Sequence, residues 1–268
     1  MEFEAYSGTI GAIVHDINLC QPLAKSDLAE IRRGLLDYEV LFFRDQPLQP
    51  EHHVALANHF GPSQFHEAYD HVSGSPQITI LENDEDRPSK IELWHTDMTF
   101  RQSPPMGSIL HSVIAPKKGG DTMFASMSAA FAGLSDQMQS LLSGLTAVHD
   151  FSHGFRESLA EPGGSERLAA MVRDNPPVEH PIVRTHPESG KRGLYVNSLF
   201  TTGIKGMKEK ESRVLLEFLY QHVTTPEFTC RFRWQTHSVA FWDNRITQHK
   251  PINDYWPQHR KMQRITID

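Results

Sequence analysis

The sequence predicts a mainly β fold with flanking helices, arranged as a double-sheet jelly roll. Three observations carry that prediction. Residues 228–235 alternate strictly, apolar at even positions and polar at odd ones, which is the period of a half-buried antiparallel strand. Short apolar or β-branched runs recur with turn residues between them, as where Glu188-Ser189-Gly190-Lys191 separates 181–185 from 193–197, the pattern of hairpins. Helical periodicity is confined to the start of the chain and to a few places between strands, so helices brace the sheets and do not form the core. At 268 residues the chain suits one domain, 1–268, since sandwiches and barrels of this length often stay undivided.

The elements follow in order. The opening, to about Pro22, reads as short strands with turns at Gly8 and Gly11. A helix begins at Ser26, with Leu28, Ile31 and Leu35 on one face. Val40-Leu41-Phe42-Phe43 has the unbroken apolarity of a buried strand. A second helix from Pro50 is stopped by Gly61-Pro62. Residues 63–91 read as loop, with Gly74, Pro76 and the acidic run Glu82-Asn83-Asp84-Glu85-Asp86 on a solvated face. Beyond Pro104-Pro105 come an apolar strand over 107–114, a turn at Lys118-Gly119-Gly120-Asp121-Thr122, and a strand at Met123-Phe124. That turn is not a phosphate loop, because it lacks both a Gly-Lys-Ser/Thr end and a Gly-x-Gly-x-x-Gly spacing. Helical signals fill 126–145, with Ser135 as a cap. Residues 151–181 are the least regular stretch, with a helical patch at 166–172, and are expected to be a mobile cover loop. Phe151 and Phe155 at its start are placed to reach a substrate. A helix over 208–222 turns Val214, Leu215, Phe218 and Leu219 to one side, and strands over 228–235, 238–242 and 263–267 close the chain.

Composition narrows the functional classes. A formal charge of -7 argues against generic nucleic-acid binding. No run approaches the ~18 apolar residues of a membrane helix. Neither a basic leader nor an apolar h-region follows Met1, and Cys20 and Cys230 form no framework, so free thiols in a reducing cytoplasm are expected. Most of the sixteen histidines are surface or packing residues, His52, His53, His59 and His237 among them.

Chemistry concentrates in two places. Trp94-His95-Thr96-Asp97-Met98-Thr99-Phe100 alternates and is rich in aromatic and β-branched residues, so it reads as a strand or its edge. Side chains two apart share a face, which sets His95 beside Asp97 as half a metal site. Alone, such a pair is an ordinary surface feature. Far downstream, Phe241-Trp242-Asp243-Asn244-Arg245-Ile246-Thr247-Gln248-His249 offers a second histidine. Two histidines and a carboxylate form the facial set that leaves open positions on Fe(II). After it, Arg260, Met262, Arg264 and Thr266 share one face of an extended segment. Two guanidiniums on an inner face each need an anion; a solvent-facing basic edge is the alternative. His66 and Tyr69, three apart, are candidates to line a cleft.

With these residues in view, the sequence resembles the Fe(II)/2-oxoglutarate-dependent taurine dioxygenase and 2,4-dichlorophenoxyacetate dioxygenase family. The resemblance runs from Gly11-Ala12 and Leu41-Phe42-Phe43-Arg44-Asp45-Gln46 to Arg264. It includes Trp94-His95-Thr96-Asp97, Gly119-Gly120-Asp121-Thr122, His180-Pro181-Ile182-Val183-Arg184-Thr185-His186-Pro187 and Trp242-Asp243-Asn244-Arg245. It implies a double-stranded β-helix, the cupin-like jelly roll, with His95, Asp97 and His249 as iron ligands. It further implies that Arg260, helped by Thr122, binds 2-oxoglutarate, and that O2 is the other co-substrate. His66, Tyr69, Phe155, Phe200 and Arg264 would surround the prime substrate, the last holding its anionic head. Ile91 stands where the taurine enzymes carry an asparagine, which implies a less polar tail. The implied reaction is hydroxylation of a small anionic substrate, first a sulfonate, taurine-like or alkyl/aryl, releasing aldehyde and sulfite. Alkyl sulfate esters and aryloxyalkanoates are alternatives, with a non-catalytic jelly-roll binding module behind them. A homo-oligomer, dimer or tetramer, is expected. A halogenase would need Asp97 replaced by a small residue, and a zinc hydrolase would be expected to show His-Glu-x-x-His.

Overall fold

Alternation along the strands sorts the apolar side chains into two layers. In the computed structural model, which describes residues 1–65, 69–89 and 92–268, eight strands form one sheet. Their order is Glu2–Ala5, Ala12–His15, Val40–Phe43, Val239–Asp243, Gly107–Ile114, Arg260–Ile267, Ser75–Asn83, His71–Val72. Neighbours are antiparallel except Ala12–His15 beside Val40–Phe43. A three-stranded sheet, Thr229–Phe232, Thr122–Ser126 and Thr247–Pro251, packs against it. Phe42, Leu110, Trp242 and Met262 from the large sheet meet Phe124, Cys230 and Phe232 from the small one. Phe42 stacks on Phe232 with centroids 4.0 Å apart. The alternate residues, Leu41, Phe43, Ile109, Phe241, Ile265 and Ile267, face the other way, under helices Lys25–Tyr38 and Pro50–Asn58. This two-layer packing is the jelly roll, and neither sheet closes on itself. A separate three-stranded sheet, Thr201–Ile204, Thr146–His149 and Val178–Pro181, packs with helix Glu209–Val223 around a further apolar cluster.

Several local expectations change. Residues 75–83 form a strand; Pro76 sits near its start, where a missing N–H is tolerated. The Trp94–Phe100 stretch is not a strand: only His95 pairs, in an isolated bridge with His249, and Met98 at φ 54° turns the chain. Residues 151–174 hold three short helices, Phe151–Gly154, Arg156–Ala160 and Gly164–Asp174, in place of an irregular loop. In the helix Glu209–Val223 the buried side is Ser212, Leu216, Leu219 and Val223, while Val214 and Phe218 are 63% and 43% exposed. Cys20 is half-buried and Cys230 buried, both free. Among the described residues, no helix is long and apolar enough to cross a membrane.

Candidate functional site

The site lies where residues 95–97 meet the small sheet at His249. His249, opposite Phe124 in the small sheet, turns its ring inward, 4.8 Å from the Trp242 ring. The bridge to His249 carries His95 alongside, with the two imidazole centroids 4.2 Å apart. Asp97 follows as the chain begins to turn. Its Oδ1 stands 3.7 Å from Nε2 of His95 and 3.9 Å from Nε2 of His249. One ligand atom from each of the three lies within 4.8 Å of the others, and all three side chains are buried.

Those separations exceed a hydrogen bond, and apart from the Arg264 guanidinium on Oδ1 of Asp97 the polar contacts outside the triad leave the inward atoms available. Nδ1 of His95 donates to the Leu93 carbonyl at 2.9 Å, which fixes the tautomer with a lone pair on Nε2. Oδ2 of Asp97 accepts from the Ser108 hydroxyl at 3.1 Å, leaving Oδ1 inward. Burial lowers the pKa of both imidazoles, that of His249 to about 3. Burial pushes the Asp97 carboxyl up, but Arg264, His249 and His95 outweigh it and hold it below the ordinary carboxylate value. At neutral pH the trio is therefore two neutral imidazoles and one carboxylate, each ready to coordinate. Two nitrogens and one oxygen fit Fe(II) with open positions.

Two buried arginines flank the trio on strand Arg260–Ile267. Arg264 donates from Nη1 to Oδ1 of Asp97 at 3.1 Å, while its Nε is buried without a hydrogen-bond partner. Its guanidinium lies 5.9 Å from the Tyr69 ring centroid. Arg260, 6% exposed, donates from Nε to the Gly120 carbonyl at 3.3 Å and lies 5.8 Å from the Tyr255 ring centroid. Among the described residues it forms no ion pair. The Gly119-Gly120 turn permits this: Gly120 has φ +71°, and a Cβ there would stand 2.7 Å from Pro116 and 3.4 Å from Arg260. Thr122 Oγ1 accepts from the Trp234 indole at 2.9 Å.

Phe155 and Phe200 join Met98, Phe100 and Phe151 in one apolar cluster, so this wall begins one residue after Asp97. The structure thus gathers His95, Asp97, His249, Arg264 and Tyr69, with Phe155 and Phe200 in the adjoining wall. Thr122 and Arg260 make no hydrogen bond to each other and are linked through the 119–122 turn. His66 and Ile91 lie outside the described residues. Sequence reading missed the parts played by Ser108, Gly120 and Tyr255, of which only the paired glycines carried a visible signal.

Comparison with known proteins places this geometry. Residues 2–266 match the family described as "Taurine catabolism dioxygenase TauD, TfdA family". The chain is 35% identical to an alkylsulfatase of Acinetobacter baylyi, over all of this chain and 84% of that protein. It is 34% identical to an α-ketoglutarate-dependent sulfate ester dioxygenase of Pseudomonas putida, over all of this chain and 89% of that protein. Among solved structures, AAD-2 in complex with Mn(II) and N-oxalylglycine superposes with a TM-score of 0.84 at 29% identity, covering 99% of this chain and 96% of the other. The chain belongs to the TauD/TfdA family of α-ketoglutarate-dependent dioxygenases, a class of oxidoreductases that uses Fe(II), 2-oxoglutarate and O2.

Proposed function

We propose that this protein hydroxylates a small organic sulfur oxyanion, with His95, Asp97 and His249 holding Fe(II), Arg260 and Thr122 holding 2-oxoglutarate, and Arg264 holding the substrate head. The observation that carries the reading is the pairing of the buried N2O1 trio with two buried guanidiniums on one strand face. Arg260 is desolvated without an ion pair among the described residues, so a carboxylate arriving there restores an interaction that burial otherwise denies it. Arg264 retains a buried, unpartnered Nε for a second anion. Bound Fe(II) supplies the O2 chemistry in which 2-oxoglutarate becomes succinate and CO2 while a substrate C–H becomes C–OH. The chain's own part is to orient both anions, exclude water and keep its imidazoles neutral.

Hydroxylation at the carbon bearing the sulfur group gives an adduct that collapses to an aldehyde. A sulfonate then releases sulfite, and a sulfate ester releases sulfate. Two of the relatives named above support the alkyl sulfate ester, an alternative on sequence alone, beside the sulfonate, and the phenylalanine wall supports an apolar tail. Phe155, Phe200 and Tyr69 are its contacts in this reading, and His66 and Ile91 are assigned to the substrate by the sequence resemblance alone. Self-association as a dimer or tetramer belongs to the same reading and is checked by sedimentation. The test is a panel of alkyl sulfates, alkyl and aryl sulfonates, taurine and phenoxyacetates, scored for succinate and for sulfate or sulfite. Alkyl sulfates are expected to give the highest kcat/KM. Absence of Fe(II)-dependent succinate with every compound would leave a binding module.

A further inference from the structure

We propose that Asn244 is a positioning residue for Asp97, its carboxamide standing in for a strand residue that the ligand segment lacks; this rests on reading His95, Asp97 and His249 as the metal site. Residues 95, 96 and 97 are each tied to the 244–249 segment, by three different devices. His95 exchanges backbone hydrogen bonds with His249 at 3.0 and 2.8 Å. Thr96 donates its hydroxyl to the Thr247 carbonyl at 2.7 Å. At Asp97 the ladder has ended, and the chain turns through the positive φ of Met98. There Asn244 takes over: its Oδ1 accepts the Asp97 N–H at 2.8 Å, and its Nδ2 donates to the Asp97 carbonyl at 2.9 Å.

A primary amide presents a donor and an acceptor side by side, so it can engage both backbone groups of one residue as an adjoining strand would. The same Nδ2 also reaches the Pro105 carbonyl at 3.2 Å, and the Asn244 N–H reaches the Met106 carbonyl at 2.8 Å. Asn244 therefore staples both ends of the loop 97–106, which carries Met98 and Phe100 into the apolar wall. With the Asp97 backbone clamped and Ser108 holding Oδ2, the inward aim of Oδ1 is set before any ion arrives. Such outer contacts are typically worth 10–100-fold in metal affinity.

The test titrates the metal-free, full-length protein with Co(II) under anaerobic conditions, following the d–d absorption, with unfolding measured in parallel. Asn244→Ala is expected to weaken Co(II) binding by roughly 10–100-fold, and Asn244→Asp, which keeps the acceptor but loses the donors, to weaken it too. The control is Gln46→Ala: Gln46 is also a buried amide bonded to three backbone groups, at Leu19, Ile17 and Arg44, none of them in a ligand residue. It should lower Tm and leave Co(II) affinity in place. Wild-type affinity in Asn244→Ala, or equal weakening by Gln46→Ala, overturns the proposal. Should the Asn244 variants fail to fold, hydrogen exchange in the metal-free wild type decides: slow exchange at the Asp97 amide supports the clamp, and exchange as fast as at exposed loop amides overturns it. A wild-type protein that binds no stoichiometric Co(II) rejects the metal-site reading itself, a result separate from any effect of Asn244.

Discussion

Two buried clusters in this molecule are built from the same residue types and differ in how far they are satisfied. In the first, Asp243 accepts from Nε and Nη2 of Arg245 at 2.8 and 2.6 Å, from the Arg245 backbone N–H at 3.0 Å and from His186 at 2.9 Å. His186 in turn accepts the backbone N–H groups of Glu188 and Ser189, and Arg245 reaches Glu188 at 2.7 Å. Nothing is left over. In the second, Asp97 and two imidazoles face one another beyond hydrogen-bond range, with one arginine on the shared oxygen. A closed His–Asp–Arg cluster ties strand ends together, whereas an open one is a place for something to bind. Residue type alone does not separate them.

The largest expected effect tests the open cluster. Asp97→Ala should abolish both stoichiometric metal binding and Fe(II)-dependent succinate formation while keeping the far-UV circular dichroism, because His249 and Arg264 beside it sit on strands paired elsewhere. Near-normal turnover in that variant would remove the distinction. Asp243→Asn is the matching test of the closed cluster. Taking the charge from a buried pair costs about 3–5 kcal/mol, read as a lower denaturation midpoint, whereas the Co(II) affinity of the folded fraction should hold.

A smaller effect divides the two arginines. Arg260→Ala removes a charge-assisted partner worth about 1.5–3 kcal/mol, so the KM for 2-oxoglutarate should rise roughly 10- to 150-fold. Arg264→Ala should weaken the prime substrate instead. Equal losses toward both compounds in both variants would overturn the proposed assignment of separate anions to the two arginines.

Acid provides the finest comparison. Burial, with His111 as a like-charged neighbour, lowers the His53 pKa to about 3, and burial with His180 and Arg184 does the same for His149. An unfolded imidazole protonates near 6.5, so between those values the unfolded chain binds more protons and stability falls as pH falls. Asp243 behaves differently. Burial pushes its carboxyl up, but Arg245 and His186 hold it below the ordinary value, so its contribution persists until acidity passes through that depressed value. Chemical denaturation from pH 7 to pH 3 should show the histidine loss first. In Asp243→Asn the later loss, below the ordinary carboxylate range, should shrink. A pH-independent midpoint across this interval would contradict the assignment of His53 and His149.

The jelly roll was readable from the sequence because the 228–235 alternation and the apolar run at Val40 report burial locally. His95, Asp97 and His249 were readable as candidates from two histidines and a carboxylate with paired arginines beyond them, and the family resemblance assigned them as the ligand set. Other features depend on tertiary context. The strand over 75–83 takes its identity from pairing with 260–264, and the bend after Asp97 hides behind residues that favour strands. In helix Glu209–Val223 several apolar positions compete, and only packing selects Leu216 over Val214. Asp243 and His186 sit 57 positions apart, with nothing in either segment to announce the other.

The strand Arg260–Ile267 has a practical consequence for recombination. Its even positions, Arg260, Met262, Arg264 and Thr266, face the interlayer and the site, while Ile265 and Ile267 belong to the layer beneath the helices. Inserting or deleting a single residue here would exchange the two faces, turning isoleucines toward the His–Asp–His trio and guanidiniums under the helices. Chimeras that graft a new pocket should therefore be spliced in the preceding loop, residues 252–259, and carry the strand across whole.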